Sequence, residues 1–372
     1  MIKDYGEVVT GNTPPTSNAE YYDNGSYLWA SPADLGVHKK ITDTRTKLTL
    51  SGFNKTRNVP IGSVLVTCIG STIGKMGMAT ETMSSNQQIN SIVVNDKSNS
   101  DFVYYAVSRA FPHYLSEVGV QAVPILSKSN FEKLPNFTTS RDEQDKLGYF
   151  LNLLDERIAT QNKIIDDLKK LMSAISKQVF AQKPNEWNRL DTLFSKGKAG
   201  GTPTSTNKEY YNGEIPFLSI NDITKQGKYV QYTENHLSQS GLENSSAWVV
   251  PKYSLIMSMY ASVGLVTINE IPITTSQAMF AMQLKDKDLL DYLYYYLSYF
   301  KYRHIHKYLE TGTQSNINAE IVRGIMIPTY GHSRNMEISS TLQGIDVKIA
   351  NELSVLRLFN RQKNYLLSQM FI

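Results

Sequence analysis

The sequence predicts an α+β protein, in which two similar mixed α/β domains are separated by two long helices that pack on each other. Three observations support this fold class. The chain repeats itself at a spacing of roughly 190 residues, each repeat ends in a heptad pattern, and each repeat mixes short strand-like runs with helical runs. A chain of 372 residues is also too long for a single core.

The repeat extends over whole halves of the chain. GNTPPTSNAEYYDNG, which starts at Gly11, returns as GGTPTSTNKEYYNG from Gly200. Downstream, WASPADL at 29–35 matches FLSINDI at 217–223, SNQQ at 85–88 matches TSQA at 275–278, and GVQAVPILS at 119–127 matches GTQSNINAE at 312–320. One domain is therefore predicted to occur twice, over residues 1–143 and 183–335.

Each half contains strand-like and helical stretches. GSVLVTCIGS at 62–71 and YSLIMSMYAS at 253–262 are short apolar runs of the kind that form buried strands. Residues 102–115 and 289–309 are predicted helices, and the second of them is rich in tyrosine.

Two heptad seams predict the long helices, over 144–182 and 336–372. Apolar residues alternate in steps of four and three, and adding 191 converts the first seam into the second, so that the polar break at Gln161 falls on Glu352. The first seam is Leu147, Leu151, Leu154, Ile158, Gln161, Ile165, Leu168, Met172, Ile175 and Val179; the second is Ile338, Leu342, Ile345, Ile349, Glu352, Leu356, Phe359, Lys363, Leu366 and Met370. Two seams in one register indicate that the helices pack on each other, although such seams are also common in plain packing.

Composition limits the function classes. A single cysteine, Cys68, excludes an internal disulfide and a cysteine-based metal site. No signal-peptide layout and no apolar run of membrane-spanning length occurs, so we expect a cytoplasmic protein with no membrane partner. The net charge of +4 is small, which means that affinity for nucleic acid would have to come from local patches.

The stretches that resemble catalytic loops lack essential residues. Pro14-Pro15 has threonine on either side, whereas the base-gripping loop of amino-methyltransferases has Asn or Asp before its prolines and an aromatic residue after them. CIGSTIGKMG places three residues between Gly70 and Gly74, where a Walker A loop has four, so a turn after a strand is the simpler interpretation.

Metal and cofactor signals are equally weak. His304 and His306 have no third metal ligand at a useful spacing. We interpret them as surface histidines beside the basic residues Lys301, Arg303 and Lys307. We therefore predict no catalytic residue, no metal site and no cofactor.

Binding signals are stronger. Residues 38–57 contain six basic residues, Lys39, Lys40, Arg45, Lys47, Lys55 and Arg57, against one acid, Asp43, and such a stretch suits phosphate contacts or a solvated basic face. Asn86, Gln87 and Gln88 carry amides that can read adenine, and amides of this kind also stabilise turns.

The order of these stretches resembles the specificity subunit of type I restriction-modification enzymes over essentially the whole chain. The resemblance is carried by the GNTPPT and GGTPTS openings, the GSTIGK and ASVG turns, SNQQ and TSQA, the Gly-x-Gln stretches, and RDEQDKLGYFLNLLDERI at 141–158. The second long helix lacks the Glu-Gln entry of the first, which leaves its starting residue open.

The resemblance implies a non-enzymatic subunit with two target-recognition domains, each reading one part of a split, asymmetric site in double-stranded DNA. It also implies that the long helices form an antiparallel coiled coil with pseudo-twofold symmetry, which spaces the domains and docks two methyltransferase subunits. Restriction/translocase subunits would join the complex, and partner chains would carry out adenine methylation and ATP-driven cleavage. A helix of about 35 residues spans roughly 50 Å, which is enough to act as a ruler. We expect Gln161 and Glu352 near the pseudo-twofold axis, in adjacent layers of the coil.

The resemblance further implies DNA contacts in both domains. Besides the basic and amide residues named above, the predicted contacts are Ser71, Thr72, Lys75 and Gln121 in the first domain and Ser219, Asn221, Lys225, Lys228, Tyr260, Ser262, Gln277, Gln314 and Asn316 in the second. The alternative function is a two-headed protein-binding scaffold without DNA specificity, for which the basic stretch would have no purpose.

Overall fold

The structure is a computed structural model that describes residues 1–117, 125–308 and 316–371, with the backbone alone at 116 and 117. The chain forms two compact units. The first unit comprises Met1–Asn162 and Ser354–Ile372, and the second comprises Lys163–Leu353. Two of the predicted DNA contacts, Gln121 and Gln314, lie outside the described residues.

The described part of the first unit has nine strands in two sheets. They are β1 (Gly6–Thr10), β2 (Tyr27–Ala30), β3 (Lys40–Ile41), β4 (Thr46–Leu48), β5 (Asn58–Val59), β6 (Val64–Thr67), β7 (Met76–Ala79), β8 (Met83–Ser85) and β9 (Ile89–Val94). The larger sheet has the order β1-β9-β6-β7-β3, and the smaller has the order β4-β2-β8-β5.

Three helices precede the first long helix in this unit. They are α1 (Leu50–Phe53), α2 (Ser100–Glu117) and α3 (Lys128–Lys133), with 3-10 turns at Ile2–Asp4, Ala19–Tyr21 and Pro32–Asp34. The helix predicted over 102–115 is α2, which begins two residues earlier and ends two residues later. After α3 the chain enters the first long helix, α4 (Arg141–Phe180).

The second unit repeats this topology. Its strands are β10 (Glu186–Arg189), β11 (Phe194–Ala199), β12 (Tyr211–Leu218), β13 (Tyr229–Val230), β14 (Asn235–Leu237), β15 (Leu255–Ser258), β16 (Val266–Asn269), β17 (Thr274–Thr275), β18 (Met279–Leu284) and β19 (Met326–Thr329). The larger sheet, β11-β18-β15-β16-β13, matches the larger sheet of the first unit strand for strand, and β14-β12-β17 matches the smaller one without its last strand. The pair β10-β19 has no counterpart in the described part of the first unit.

The helices of this unit are α5 (Ile220–Gln226), α6 (Gln239–Glu243), α7 (Leu290–Arg303), α8 (Ala319–Arg323) and the second long helix, α9 (His332–Met370). Its 3-10 turns are Leu190–Thr192, Lys208–Tyr210, Lys287–Leu289 and Ile305–Lys307. The helix predicted over 289–309 stops at Arg303, because the backbone of His304 leaves the helical region.

The larger sheet of each unit is buried on both faces, which explains why its central strands are unbroken apolar runs. Side chains alternate between the faces of a strand. In β6, Val64 and Val66 enter the core formed with α2, while Leu65 enters the core shared with the smaller sheet. In β15, Leu255 and Ile256 divide in the same way between two cores. The two buried strands predicted from the sequence are confirmed.

The heptad seams are confirmed as the buried stripes of α4 and α9, since every predicted position is buried or half-buried while most of the residues between them are exposed. In the first unit the beginning of α4 shares a core with the end of α9 and the residue after it, through Leu151, Met370 and Phe371 among others. In the second unit the end of α4 shares a core with the beginning of α9, through Phe180 and Leu342 among others. In the first unit, Leu151 shares a core with residues 366–371 and Asp155 lies 2.5 Å from Lys363, so these two helix segments run antiparallel. Polar Gln161 is itself buried.

The long helices begin three and four residues before the predicted starts, at Arg141 and His332, and each ends two residues early. Within the described ranges, no helix combines the length and the apolar content that crossing a membrane requires.

Candidate functional site

Three turns of the first unit meet at one edge of its larger sheet. Thr10 at the end of β1 pairs with Asn90 of β9, and Asn90 pairs in turn with Val66 near the end of β6. The turns that follow or precede these strands, 11–15, 68–75 and 86–88, therefore lie together, and we call them the first polar edge. The second unit has the same arrangement in turns 200–204, 259–265 and 276–278, the second polar edge.

A glycine allows the first and third turns of each edge to approach closely. A Cβ atom on Gly11 would lie 2.3 Å from the carbonyl oxygen of Asn86, and one on Gly200 would lie 2.0 Å from that of Thr275. Any larger residue would force these turns apart. This contact gives a physical reason for the glycine that opens both copies of the repeat.

One glutamine at each edge is exposed and held by a threonine. Thr13 donates a hydrogen bond from its hydroxyl to Gln87 Oε1 at 2.5 Å. Thr202 donates to Gln277 Oε1 in the same way. With the carbonyl end of each amide engaged, the NH₂ group is the part left for a ligand. Thr13 and Thr202 were not among the predicted contacts. Because both threonines occupy the same position in the two openings of the repeat, the sequence could have indicated a shared role for them.

The other two amides of the first edge stabilise the turn. Asn86 is buried, accepts a hydrogen bond from the backbone N–H of Gln88 at 3.0 Å, and donates to Gln88 Oε1 at 3.1 Å. Gln88 donates through Nε2 to the carbonyl oxygen of Ile69. The turn-stabilising interpretation therefore fits Asn86 and Gln88, and Gln87 remains the amide available for reading.

Two residues of the basic stretch reach the first polar edge. The side chain of Asn12 donates to the carbonyl oxygen of Lys55 at 2.9 Å and accepts from the backbone N–H of Arg57 at 2.8 Å. The Arg57 guanidinium donates to the carbonyl oxygen of Thr10 at 2.9 Å. Both basic side chains are exposed beside the turn that carries Thr13.

Three other residues of the stretch belong to the strands around β3 and β4. Lys40 and Arg45 are exposed, and the Lys47 ammonium lies 2.9 Å from Asp43. Across the described residues, no hydrogen bond or ion pair joins these three side chains to the turns of the edge.

Lys39 is not on the open surface, contrary to the prediction of a basic stretch in contact with phosphate. Its ammonium group lies 2.6 Å from Asp101 Oδ1 and 3.0 Å from the hydroxyl of Tyr105, and its side chain is 8% exposed. Tyr105 donates in turn to Asp155 of α4 at 2.6 Å. Burial lowers the pKa of Lys39, and the neighbouring carboxylates oppose that shift. We call these four residues the first lysine network.

The second unit contains the same network around Lys228, another predicted DNA contact. Its ammonium lies 2.6 Å from Asp291 and 2.9 Å from the hydroxyl of Tyr295, which donates to Asp346 of α9 at 2.8 Å. Burial raises the pKa of Asp346. Because a buried ammonium needs its carboxylates, neither lysine is available to DNA; each instead ties its globular body to a long helix.

The remaining first-unit contacts lie on the turn 68–75. Ser71 and Lys75 are exposed and Thr72 is half-buried. Gly70 and Gly74 have φ angles of 97° and 88°, which favour glycine. This turn joins two antiparallel strands, whereas a Walker A loop leads from a strand into a helix, so the predicted turn is confirmed.

The equivalent turn in the second unit presents different side chains. Tyr260 and Ser262 are exposed, as expected of contact residues. Asn316, also a predicted contact, is half-buried next to Ile317, whose N–H donates to the carbonyl oxygen of Met259 in this turn.

Three predicted contacts of the second unit have local structural partners instead. Ser219 caps α5, since its hydroxyl accepts from the backbone N–H of Asp222 at 3.2 Å and donates to the Asp222 carboxylate at 2.6 Å. Asn221 and Lys225 both donate to the carboxylate of Glu234. No contact in the described residues brings these three side chains to the second polar edge.

One basic residue near the second polar edge was missed. Lys198 of β11 donates to the carbonyl oxygen of Ser246, which occupies the position of Arg57 in the repeat. Lys198 thus places a cation on the side of the second edge where the first edge has Arg57, although the two residues come from different segments of the repeat. No sequence match between the halves indicates this lysine.

Comparison with known proteins agrees with the duplicated architecture. The family model of the type I restriction modification DNA specificity domain matches residues 1–170 and again residues 184–354. The chain is 26% identical over 249 residues to the type I restriction enzyme MjaIX specificity subunit of Methanocaldococcus jannaschii, a match that covers 60% of this chain and 57% of that relative. It is 28% identical over 181 residues to the HindI specificity subunit of Haemophilus influenzae, covering 46% of this chain and 39% of that one. The chain thus matches about half the length of these relatives.

Two solved structures share the fold. The S subunit of a type I restriction-modification system from M. genitalium has a TM-score of 0.63 at 15% identity, covering 100% of this chain and 95% of that one. A chain from a study of complex assembly and conformational transition in the type I R-M system has a TM-score of 0.61 at 15% identity, covering 99% and 95%. With both repeats matched by one family model, the chain belongs to the family of type I restriction-modification DNA specificity domains and carries two copies of that domain.

Proposed function

We propose that this chain is the DNA sequence-recognition subunit of a type I restriction-modification complex, and that each globular unit reads one half of a bipartite, asymmetric site. The observation that carries the proposal is that two copies of one fold present the same polar edge with different side chains. A shared scaffold with divergent contact residues suits two different half-sites.

The divergence is concentrated at the turns. Each edge keeps its threonine-held glutamine, which can bond to a base edge in the major groove. Around that glutamine, Gly70 of the first edge is replaced by Tyr260 and Lys75 is replaced by Leu265. Direct readout depends on such donor, acceptor and apolar groups, so these replacements support different base preferences for the two units.

The long helices would space the units and dock two methyltransferase subunits, with restriction/translocase subunits joining that assembly. Support comes from large apolar side chains on the exposed faces of both helices, where the chain itself has no core for them. They are Tyr149, Phe150, Leu153, Ile164 and Leu171 on α4, and Val347, Val355, Leu358 and Tyr365 on α9. In this proposal partner chains supply adenine methylation and ATP-dependent cleavage, and the chain itself supplies recognition.

The competing function is a two-headed protein-binding scaffold without DNA specificity. The exposed Lys55 and Arg57 beside Gln87 favour DNA, because phosphate contacts require cations next to the base-reading groups. DNA retention that weakens steeply with added salt separates the two functions.

The test is to map methylated adenines in a host genome without this chain, with it, and with a version in which residues 1–143 are exchanged for another recognition domain. We expect a bipartite methylated motif that depends on the chain, and an exchange that changes one half of the motif only. A motif that persists without the chain, or an exchange that alters both halves, would contradict the proposal.

A further inference from the structure

A basic segment in the second unit has no role in the site described above. At the end of α7 and in the following 3-10 turn, Lys301, Arg303, His304, His306 and Lys307 occur within seven residues. Except for Lys301 and His304, which are half-buried, these side chains are exposed. We call these five residues the α7 basic patch.

The patch lies against the second polar edge. A Cβ atom on Gly264, in the turn 259–265, would lie 3.2 Å from Lys301 Cγ and 3.4 Å from Ile305 Cγ1. The stem of Lys301 therefore packs on the same turn that presents Tyr260 and Ser262. A ligand held by that turn would meet the patch at its side.

The first unit has a core residue where this patch begins. The equivalent of Lys301 is Phe111, which packs beside Gly74 and is buried in the core. The first edge carries its cations elsewhere, on Lys55, Arg57 and Lys75, where the second unit has Asn244, Ser246 and Leu265. On its α7 side, the second edge thus carries a cation where the first edge has an apolar core residue.

The cations of the patch have no acidic partner in the described part of the chain, since no ion pair involves Lys301, Arg303 or Lys307 there. Burial lowers the pKa of Lys301, and burial followed by the charge of Lys307 lowers the pKa of His304. A cluster of cations that is partly desolvated, and that has no ion-pair partner among the described residues, favours an anionic ligand. Tyr302, a residue that is 78% exposed, lies among them.

We propose that the α7 basic patch binds the DNA phosphates that flank the half-site read by the second unit. The inference rests on the proposed function and names the phosphate contacts of that same site. Backbone contacts of this kind position a protein on the duplex and carry no base preference of their own. The patch would therefore set affinity and orientation, while Gln277, Tyr260 and Ser262 read the bases.

The experiment measures binding of the full chain to a duplex that carries the mapped methylation motif and to a scrambled duplex, across roughly 50 to 200 mM salt. The variant is K301Q/R303Q/K307Q, which removes three charges and keeps the Cβ and Cγ of residue 301 that pack beside Gly264. The matched control is K163Q/K169Q/K177Q, which removes the same charge from exposed positions of α4 in the same unit. Thermal unfolding of all three proteins checks folding.

We expect the patch variant to bind both duplexes more weakly and to lower the slope of log K against log salt by about 0.9 for each phosphate that is no longer neutralised, or about 2 to 3 in total. The methylated motif should be unchanged, and the control should keep the wild-type slope. A patch variant with the slope of the control overturns the inference. The inference is also overturned if the patch variant loses binding to a protein partner while its DNA binding is unchanged. A wild-type chain that does not distinguish the two duplexes overturns the proposed function itself.

Discussion

At the scale of single residues, the threonine-glutamine pairs are the feature that the two copies share most closely at their polar edges. Thr13 holds Gln87 and Thr202 holds Gln277, each by a hydroxyl that occupies the amide oxygen. A held amide loses less rotamer freedom when it binds a base than a free one does. The pairs are thus suited to a shared mode of reading within unlike surroundings.

We expect Gln87→Ala to relax base preference at one position of one half-site, and Gln277→Ala to do so in the other half-site. A good amide contact to a base is worth about 1 to 3 kcal/mol of discrimination, or roughly 5- to 150-fold in relative affinity. Competition binding to duplexes that vary one base at a time measures this effect. Gln178→Ala, at an exposed position of α4, is the control; equal effects of Gln87→Ala on both half-sites would contradict independent reading.

At the scale of elements, the lysine networks join each globular body to a long helix. In the first unit the network links Lys39 and α2 to Asp155 of α4, and Lys363 of α9 lies 2.5 Å from the same carboxylate. Adding 191 to Met172 of α4 gives Lys363, so the second unit has a methionine at the corresponding place. Lys39 is buried in this network, while Asp101, Asp155 and Lys363 are partly exposed, and the shared contacts favour one arrangement of α2, α4 and α9.

Lys39→Ala should destabilise the protein by about 1 to 3 kcal/mol, because it leaves the partly buried carboxylate of Asp101 and the hydroxyl of Tyr105 without their cation. Lys40→Ala is the matched control, since the neighbouring side chain is exposed, and we expect an effect within about 0.5 kcal/mol. Urea unfolding followed by circular dichroism measures both. Equal effects of the two substitutions would mean that the network does not stabilise the first unit.

At the scale of the whole molecule, the abundance of tyrosine serves the two scaffolds. Tyr105 and Tyr292 are buried, and Tyr292 donates to the carbonyl oxygen of Pro328 at 2.6 Å. Tyr296 donates to that of Met326 at 2.9 Å. A ring in the core with its hydroxyl bonded is a stable arrangement, and it places many of the tyrosines away from the polar edges.

These tyrosines predict an alkaline limit to stability. Burial raises the pKa of Tyr105, Tyr292 and Tyr295 above its usual range and raises that of Tyr104 and Tyr229 to about 12. A group whose pKa is higher in the folded state stabilises the fold fully below its unfolded pKa, near 10 for tyrosine, and this contribution is lost as the pH rises toward the folded value.

We therefore expect the melting temperature to fall steeply above about pH 10. Each buried tyrosine should contribute up to about 1.4 kcal/mol per pH unit in this range. Calorimetry between about pH 8 and 12 measures the slope. Tyr292→Phe should make the slope shallower, whereas Tyr302→Phe, which alters an exposed ring, should not. A slope that Tyr292→Phe leaves unchanged would refute this explanation.

The features of the fold that depend on local or periodic patterns could be predicted from the sequence. The duplication, the buried strands β6 and β15 and both heptad seams depend on patterns within a few residues or on a constant offset, and all are present in the structure. The residues of the candidate site could be predicted from the sequence only in part. Gln87, Lys55 and Arg57 lie at the first polar edge, but Asn86 stabilises a turn and Lys39 is held by Asp101.

The sequence by itself determined that one α/β domain occurs twice and that a long helix follows each copy, because repeats and hydrophobic periodicity are properties of the chain alone. Only the tertiary structure decided which charged and amide side chains are exposed at the polar edges. Lys39 and Lys55 belong to the same basic stretch, yet the first pairs with the carboxylate of Asp101, 62 residues away in the chain, while the second stays exposed. Burial and pairing depend on contacts between distant segments, and folding alone brings those segments together.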